Sequence, residues 1–303
     1  MSKQQGNNYW LTSGLLTLFQ SLAGVVFSFT TFYLLVRMLD KDDWGALILF
    51  LSTTTFLEFI RNGITANALI KFISFSKKED HASIISASFA INGILTICCI
   101  IFNFTFAAYL AKLWNFPQLT NMFYLHSVVF LLSGFSNQFN CIEQANLSFR
   151  GSFVTAVTGQ LVNLTFISYC FFFGVHITPL DLVYVYIMGA GAGLAMAYIF
   201  AKRYLIFCFK IEWPRVKELF NYGKYSFGTS LGAMVFGSID QWMLGALHST
   251  SAAGAYNIAI RITNLVEVPT GTVARIVFPQ SAKRMETEGK AGIKYLYEKS
   301  VGT

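Results

Sequence analysis

Glu58, Arg61 and Asn62 stand together inside an otherwise apolar run, FLEFIRNGI, and are the first residues of the chain that could do chemistry. Three residues are nearly one turn of a helix, so Glu58 and Arg61 share a face and can pair, with Asn62 beside them. An ionisable side chain among lipid tails costs about 2.5–3.5 kcal/mol on insertion scales, so it normally faces a partner or a wet cavity. Two readings therefore stand side by side. The pair is an ion pair that locks its helix to its neighbours, or it is part of a cavity wall. Gly63 follows directly and permits a bend or a close approach.

A second charged group, Arg261, Glu267 and Arg275, lies in another long apolar run. At 100° per residue the two arginines fall within about 40° of one face and roughly 21 Å apart along the axis, while Glu267 lies off that stripe. Pro269 removes one backbone hydrogen bond and predicts a kink near Leu265. Two cations on one face at different depths suit a polyanion moving along a cavity. Arg275 also reads as a cation that snorkels to the head groups, which leaves Arg261 the stronger cavity candidate. Asp240, five residues before Gly245, is expected towards the outer end of its run, where it caps or pairs.

Other chemistry is not supported. The five cysteines, Cys98, Cys99, Cys141, Cys170 and Cys208, fall in or beside apolar runs without Cys-x-x-Cys spacing, so they read as packing residues rather than a disulfide framework or a metal site. Of the four histidines only His126 lies inside a run, and it is not assigned a proton-carrying role. Gly189, Gly191 and Gly193 lack the third glycine and the preceding strand of a nucleotide loop; they read as a helix-packing seam. No cofactor and no nucleic-acid partner are implied.

The elements that carry these residues follow from composition. With 54% hydrophobic residues, 12% charged residues and a mean hydropathy of +0.53, the chain has too little polar surface to cover a soluble domain. Apolar runs of about 18 residues or more are long enough to cross the ~30 Å hydrocarbon layer. Because they are continuous and not alternating, the spans are helices, with every backbone group satisfied internally. The fold class expected is all-α and polytopic, with eight spans over 10–36, 44–70, 82–111, 119–142, 152–176, 182–201, 225–247 and 254–281. Residues 202–224 form a basic amphipathic connector, whose Val216, Leu219 and Phe220 share one helical face; it reads first as an ordinary half-to-half linker with a positive-inside charge cluster, and second as an interfacial helix that meets anionic lipid head groups.

Sixteen of the 22 basic residues fall in connectors on one side of this topology and three in those on the other. The positive-inside bias places the N-terminus in the cytoplasm. The outer connectors are short, leaving no room there for a catalytic domain. The chain also repeats its plan: Trp44-Gly45 after one apolar hairpin corresponds to Gly254 after another, 209 residues later. Two related halves are implied: 1–201 as a complete six-helix bundle, and 225–303 as the first two helices of a second that would end near residue ~420 if the repeat were full.

In LLVRMLDKDDWGALILF, an R-x-L motif ends the first span before a short acidic turn and an aromatic-Gly pair. FLEFIRNGITANALIKF, SIDQWMLGALHSTSAAGAYNIAIRI and VARIVFPQSAKR, with Asp240, Gly245, Phe278 and Pro279, follow in order over essentially the whole length. This pattern resembles the polysaccharide-export, or Wzx-type oligosaccharide flippase, family of the multidrug/oligosaccharidyl-lipid/polysaccharide exporter superfamily, here C-terminally truncated. The resemblance implies two six-helix bundles facing each other across a cavity in the cell (inner) membrane. It also implies alternating access that moves a polyprenyl-pyrophosphate-linked oligosaccharide outwards for lipopolysaccharide, O-antigen or exopolysaccharide synthesis. The partners implied are that lipid-linked cargo, membrane lipids and other polysaccharide-assembly proteins. Arg61 and Arg261 then stand for the pyrophosphate, Glu58 and Glu267 for pairing or ion coupling, and Asn62, Arg275 and Asp240 as further cavity candidates. A cation-coupled drug or metabolite antiporter of the same superfamily would share the architecture but rely on carboxylates. A membrane-embedded assembly enzyme would need a large outer loop or clustered His, Asp and Arg, and a truncated remnant would transport nothing.

Overall fold

A computed structural model of the chain describes residues 24–205 and 212–263, and every structural statement below refers to these. They form α1 (Gly24–Met38), α2 (Lys41–Phe75), α3 (His81–Leu113), α4 (Leu119–Ala145), α5 (Arg150–Phe173), α6 (Pro179–Ala201), α7 (Trp213–Leu247) and α8 (250–263). Short 3₁₀ turns stand at Lys78–Asp80 and Lys202–Tyr204. No strand occurs among the described residues. Helices α2 to α6 are each long and apolar enough to cross a membrane, and the protein is an all-α polytopic membrane protein.

The expected spans coincide with α2 to α6 to within a few residues at each end. Of the expected first span, the described part is α1. Of the expected eighth, only the stretch up to residue 263 is described, so Glu267, Pro269, Arg275, Phe278 and Pro279 lie outside the described residues, as does Cys208.

The helices are packed with their polar residues inwards. On α3, Ile94, Ile97, Ile101 and Phe104 repeat at helical spacing and are all exposed, while Ser88, Asn92, Thr96 and Asn103 are buried on another face. In lipid this is the favourable arrangement. Aliphatic side chains lose nothing facing tails that are as apolar as they are, whereas an amide or hydroxyl needs an interhelical partner. Asn103 finds one, donating to the Phe123 carbonyl of α4 at 2.9 Å. Helix α4 is the hub of the bundle, packed on α2, α3 and α6, and α5 packs on α6.

The second part of the connector and the seventh expected span form one element: a helix begins at Trp213, with Pro214 in its first turn, and runs without interruption to Leu247. Val216 and Leu219 are buried in a cluster with Ile64, Leu69, Ile84 and Ile142, which does not favour the head-group reading of this face, and only Phe220 of the three stays exposed. The reason is α2, which at 35 residues is about 52 Å long and outreaches the ~30 Å hydrocarbon layer, giving the start of α7 an apolar surface to lie on. Arg215 of α7 pairs with Asp80 at 3.2 Å and Glu218 at 3.1 Å. The hydrogen bond it donates to Glu218 foremost, and the nearby carboxylates after it, raise its pKa above the ordinary arginine value.

The α2–α7 pair is antiparallel and very close. A Cβ at Gly223 would overlap the Ile64 carbonyl, and where α8 begins a Cβ at Gly45 of α2 would overlap the Thr250 carbonyl, so glycine is required at both positions. Between them Trp242 Nε1 donates to Ser52 Oγ at 2.9 Å. Residues up to Gly254 form one compact unit; Ala255 opens a second, of which the end of α8 is described.

Candidate functional site

Glu58 and Arg61 of α2 sit on its face towards α4. Arg61 is 0% exposed. Its guanidinium donates to the Phe130 carbonyl and, at 3.0 Å, to Ser133 Oγ, and its Nε reaches Asn62 Oδ1 at 3.3 Å. Ser133 passes the contact on, donating to Glu58 Oε1 at 2.8 Å, and Glu58 itself stands 3.7 Å from the guanidinium. Asn137 of α4 donates to Asn62 Oδ1 at 3.0 Å. Room for the guanidinium is made by Gly134, where a Cβ would stand 3.2 Å from Arg61 Nη1 and 3.1 Å from Thr96 Oγ1. A buried cation thus meets a carbonyl, a hydroxyl, an amide and a carboxylate, which is how a charge becomes tolerable away from water.

Beyond this seam, α2, α4, α5 and α6 line an open cavity of about 450 Å³. Each helix gives it one face. Thr54, Glu58 and Asn62 come from α2; His126, Ser133, Asn137 and Asn140 from α4; Thr155, Gln160 and Asn163 from α5; Tyr186 and Gly189 from α6. Glu58 is 30% exposed and on the wall; Arg61 is not among the lining residues. None of the described lining residues is Lys or Arg, and Glu58 is their one carboxylate. Several lining residues carry buried atoms with no hydrogen-bond partner among the described residues: Asn140 Oδ1, Thr155 Oγ1, Asn163 Oδ1 and both ring nitrogens of His126. His126 is held between the rings of Phe50 and Phe130, edge-on to each. What such a wall can do is exchange hydrogen bonds with a neutral polar guest, or lend one negative charge to a cation.

The family model described as "Polysaccharide biosynthesis protein" matches residues 34–302. The chain belongs to that family. Over 71 residues, 23% of this chain and 15% of the relative, it is 34% identical to a "Probable low-salt glycan biosynthesis flippase Agl15" of Haloferax volcanii. Its fold is similar to that of a multidrug resistance MATE family transporter of the MOP superfamily, solved in an inward-facing conformation. The TM-score is 0.70 at 14% identity, covering 93% of this chain and 66% of that one. The chain thus spans about two thirds of the transporter's length and a small part of the flippase's.

In this polysaccharide biosynthesis protein the sequence candidates separate. Glu58 and Asn62 reach the cavity, and Arg61 cross-links α2 to α4. Asp240 is exposed on α7. Arg261 lies on α8 in the second unit, where its Nε donates to Asn257 Oδ1, one turn earlier, at 3.0 Å. Glu267 and Arg275 are outside the described residues. Of the glycine seam, Gly189 packs against the Gly159 carbonyl and Gly193 against Thr155, whereas Gly191 meets nothing within 4 Å.

Two features were not singled out in the sequence. One is the neutral wall itself, although Ser133, Asn137 and Asn140 on α4 and Thr155, Gly159 and Asn163 on α5 recur at helical spacing and could have been read as stripes. The other is Glu143, 1% exposed, which accepts from the backbone N–H of Gly151 at 3.0 Å and of Ser152 at 3.1 Å, and from Ser148 Oγ at 2.7 Å. It caps α5 from the end of α4, and the positive end of the α5 dipole holds its charge. A Cβ on Gly151 would strike this carboxylate.

Proposed function

We propose that this protein is a flippase that carries a polyprenyl-pyrophosphate-linked oligosaccharide across the cell membrane by alternating access, for surface polysaccharide synthesis. The observation that carries the reading is the cavity: about 450 Å³ walled by amides and hydroxyls, inside a membrane bundle of a polysaccharide biosynthesis family member. Unpaired polar groups are costly in a bilayer, and a wall of them is sustained by polar cargo or water. In this reading residues 1–201 are the first bundle, 202–224 the connector and 225–303 the start of the second. The end carrying Lys71, Lys77, Lys78 and Arg215 faces the cytoplasm, as the positive-inside bias supports.

Arg261 is the pyrophosphate candidate among the described span residues, because the guanidinium of Arg61 is taken up between α2 and α4. The test is a vesicle assay in which a fluorescent lipid-linked oligosaccharide in one leaflet becomes accessible to an impermeant lectin. Wild-type protein should raise the rate above that of protein-free vesicles, and Arg261→Ala should abolish the gain at unchanged protein level. A wild-type rate equal to that of protein-free vesicles overturns the proposal.

One observation favours a second reading. Glu58 brings a carboxylate to the cavity wall, which suits cation-coupled antiport. Transport of a cationic dye that requires a sodium or proton gradient and is lost in Glu58→Gln would support it; a gradient-independent rate would remove it.

A further inference from the structure

We propose that the cavity between α2, α4, α5 and α6 is a sugar subsite that accepts one or two uncharged rings of the cargo and leaves the phosphates to groups outside it. This rests on the flippase reading and assigns a part of the cargo to a part of the protein.

Size is the first argument. At ~30 Å³ for each water, 450 Å³ corresponds to about fifteen waters, far more than a desolvated cation fills. It falls within the ~300–1,000 Å³ of sites for small organic molecules.

Charge is the second. Pyrophosphate offers only acceptors and several negative charges, and it is normally met by Arg or Lys. The described lining residues supply neither, and they include the Glu58 carboxylate, which would repel it. Arg61 lies behind the wall with its donors committed to Phe130, Ser133 and Asn62.

The unpartnered atoms supply the third argument. Asn163 donates its amide to the Gly159 carbonyl at 3.0 Å, which leaves Oδ1 as an acceptor without a partner among the described residues. Asn140 Oδ1 is a second such acceptor, and Thr155 Oγ1 both accepts and donates. His126, only 5% exposed, adds two ring nitrogens, of which the neutral ring makes one a donor and the other an acceptor. These atoms are buried just behind the cavity surface, and a side-chain rotation that turns them to it offers a mixed set, acceptors in the majority, complementary to ring hydroxyls, each of which gives one hydrogen bond and takes others. Tyr186 adds a flat surface on which the C–H face of a sugar ring can lie.

The test uses the full chain in lipid nanodiscs and saturation-transfer NMR, with maltose and chitobiose as uncharged probes and inorganic pyrophosphate and sodium chloride as competitors. Asn140→Leu and Asn163→Leu each remove the unpartnered acceptor and keep the branched shape, Asn163→Leu also losing the bond to the Gly159 carbonyl; a thermal melt checks that both fold. Transfer to a disaccharide should be seen with the wild type, fall about tenfold in each variant and be unchanged by equimolar pyrophosphate. Displacement by pyrophosphate, equal transfer in wild type and variants, or no transfer to either disaccharide each overturns the subsite. So does a sodium-dependent rise in melting temperature that Glu58→Gln removes while neither sugar binds, which would make the cavity a cation site. The lectin assay on the same preparations keeps the two proposals apart. Flipping without disaccharide binding removes the subsite and leaves the flippase, whereas disaccharide binding without flipping by the wild type removes the flippase.

Discussion

The two sides of α4 handle polar residues in opposite ways. Towards α2, charge is concentrated and satisfied: Arg61, Glu58, Ser133, Asn62 and Asn137 form a connected set whose centre is 0% exposed. Towards α5 and α6 the groups are nearly all neutral, and Asn140, Thr155 and Asn163 keep atoms without a partner among the described residues. The contrast teaches that in a membrane bundle the strongest charge need not mark the place where cargo binds. A guanidinium between helices is affordable only when every donor is used, so it becomes a fastener. A neutral amide left without a partner costs less than a bare charge, and water or a guest can supply the missing bond.

The sharpest way to break the comparison is Arg61→Ala, which strands Glu58 and the Phe130 carbonyl inside the seam. Removing one partner of a buried pair costs about 3–5 kcal/mol, so the melting temperature in detergent and the expression level should both fall well below wild type. A variant that folds normally but loses transport would instead return Arg61 to the cargo path. Next comes Glu143→Ala, which unpairs the first N–H groups of α5; about 2–3 kcal/mol of stability should be lost, again read by thermal melt, without any effect that tracks with sugar chemistry. Gly134→Ala should cost about 1–3 kcal/mol through overpacking against Arg61, Thr96 and Asn92, and combining it with Arg61→Ala should give less than the sum, because the two share a site. The smallest stability effect belongs to Asn140→Leu and Asn163→Leu, within about 1 kcal/mol of wild type, since the amide removed has a buried oxygen without a partner, and in Asn163→Leu this gain offsets the lost bond to the Gly159 carbonyl. Their cost should appear in transport. Loss of stability there comparable to Arg61→Ala would erase the distinction between seam and cavity.

The helices themselves were legible. Long apolar runs bounded by Asp40–Asp43, Lys77–Asp80, Phe116–Gln118 and Thr178–Asp181 mark α2 to α6 with end errors of a few residues, because a bilayer leaves the backbone no other spanning form among such sequences. Start of α7 was not legible. Lys217, Glu218 and Lys224 read as a surface connector, and only the length of α2 shows what Val216 and Leu219 rest on. Glu143 was equally hidden, since a cap supplied by the preceding helix across the Asn146–Phe149 turn has no pattern within α5.

By itself the sequence determined that the chain is all-helical and membrane-embedded, which residues are costly there, and, through the order of its motifs, the family to which it belongs. Composition and run length suffice for the first two because lipid penalises every unpaired backbone group and every bare charge in the same way. Only the tertiary structure decided how Glu58 and Arg61, three residues apart on one helix, divide their roles. Spacing places both towards α4, but whether a side chain ends at a cavity wall or inside a seam depends on what the neighbouring helix presents: the Phe130 carbonyl, Ser133 and the space at Gly134 for Arg61, and the opening towards α5 and α6 for Glu58.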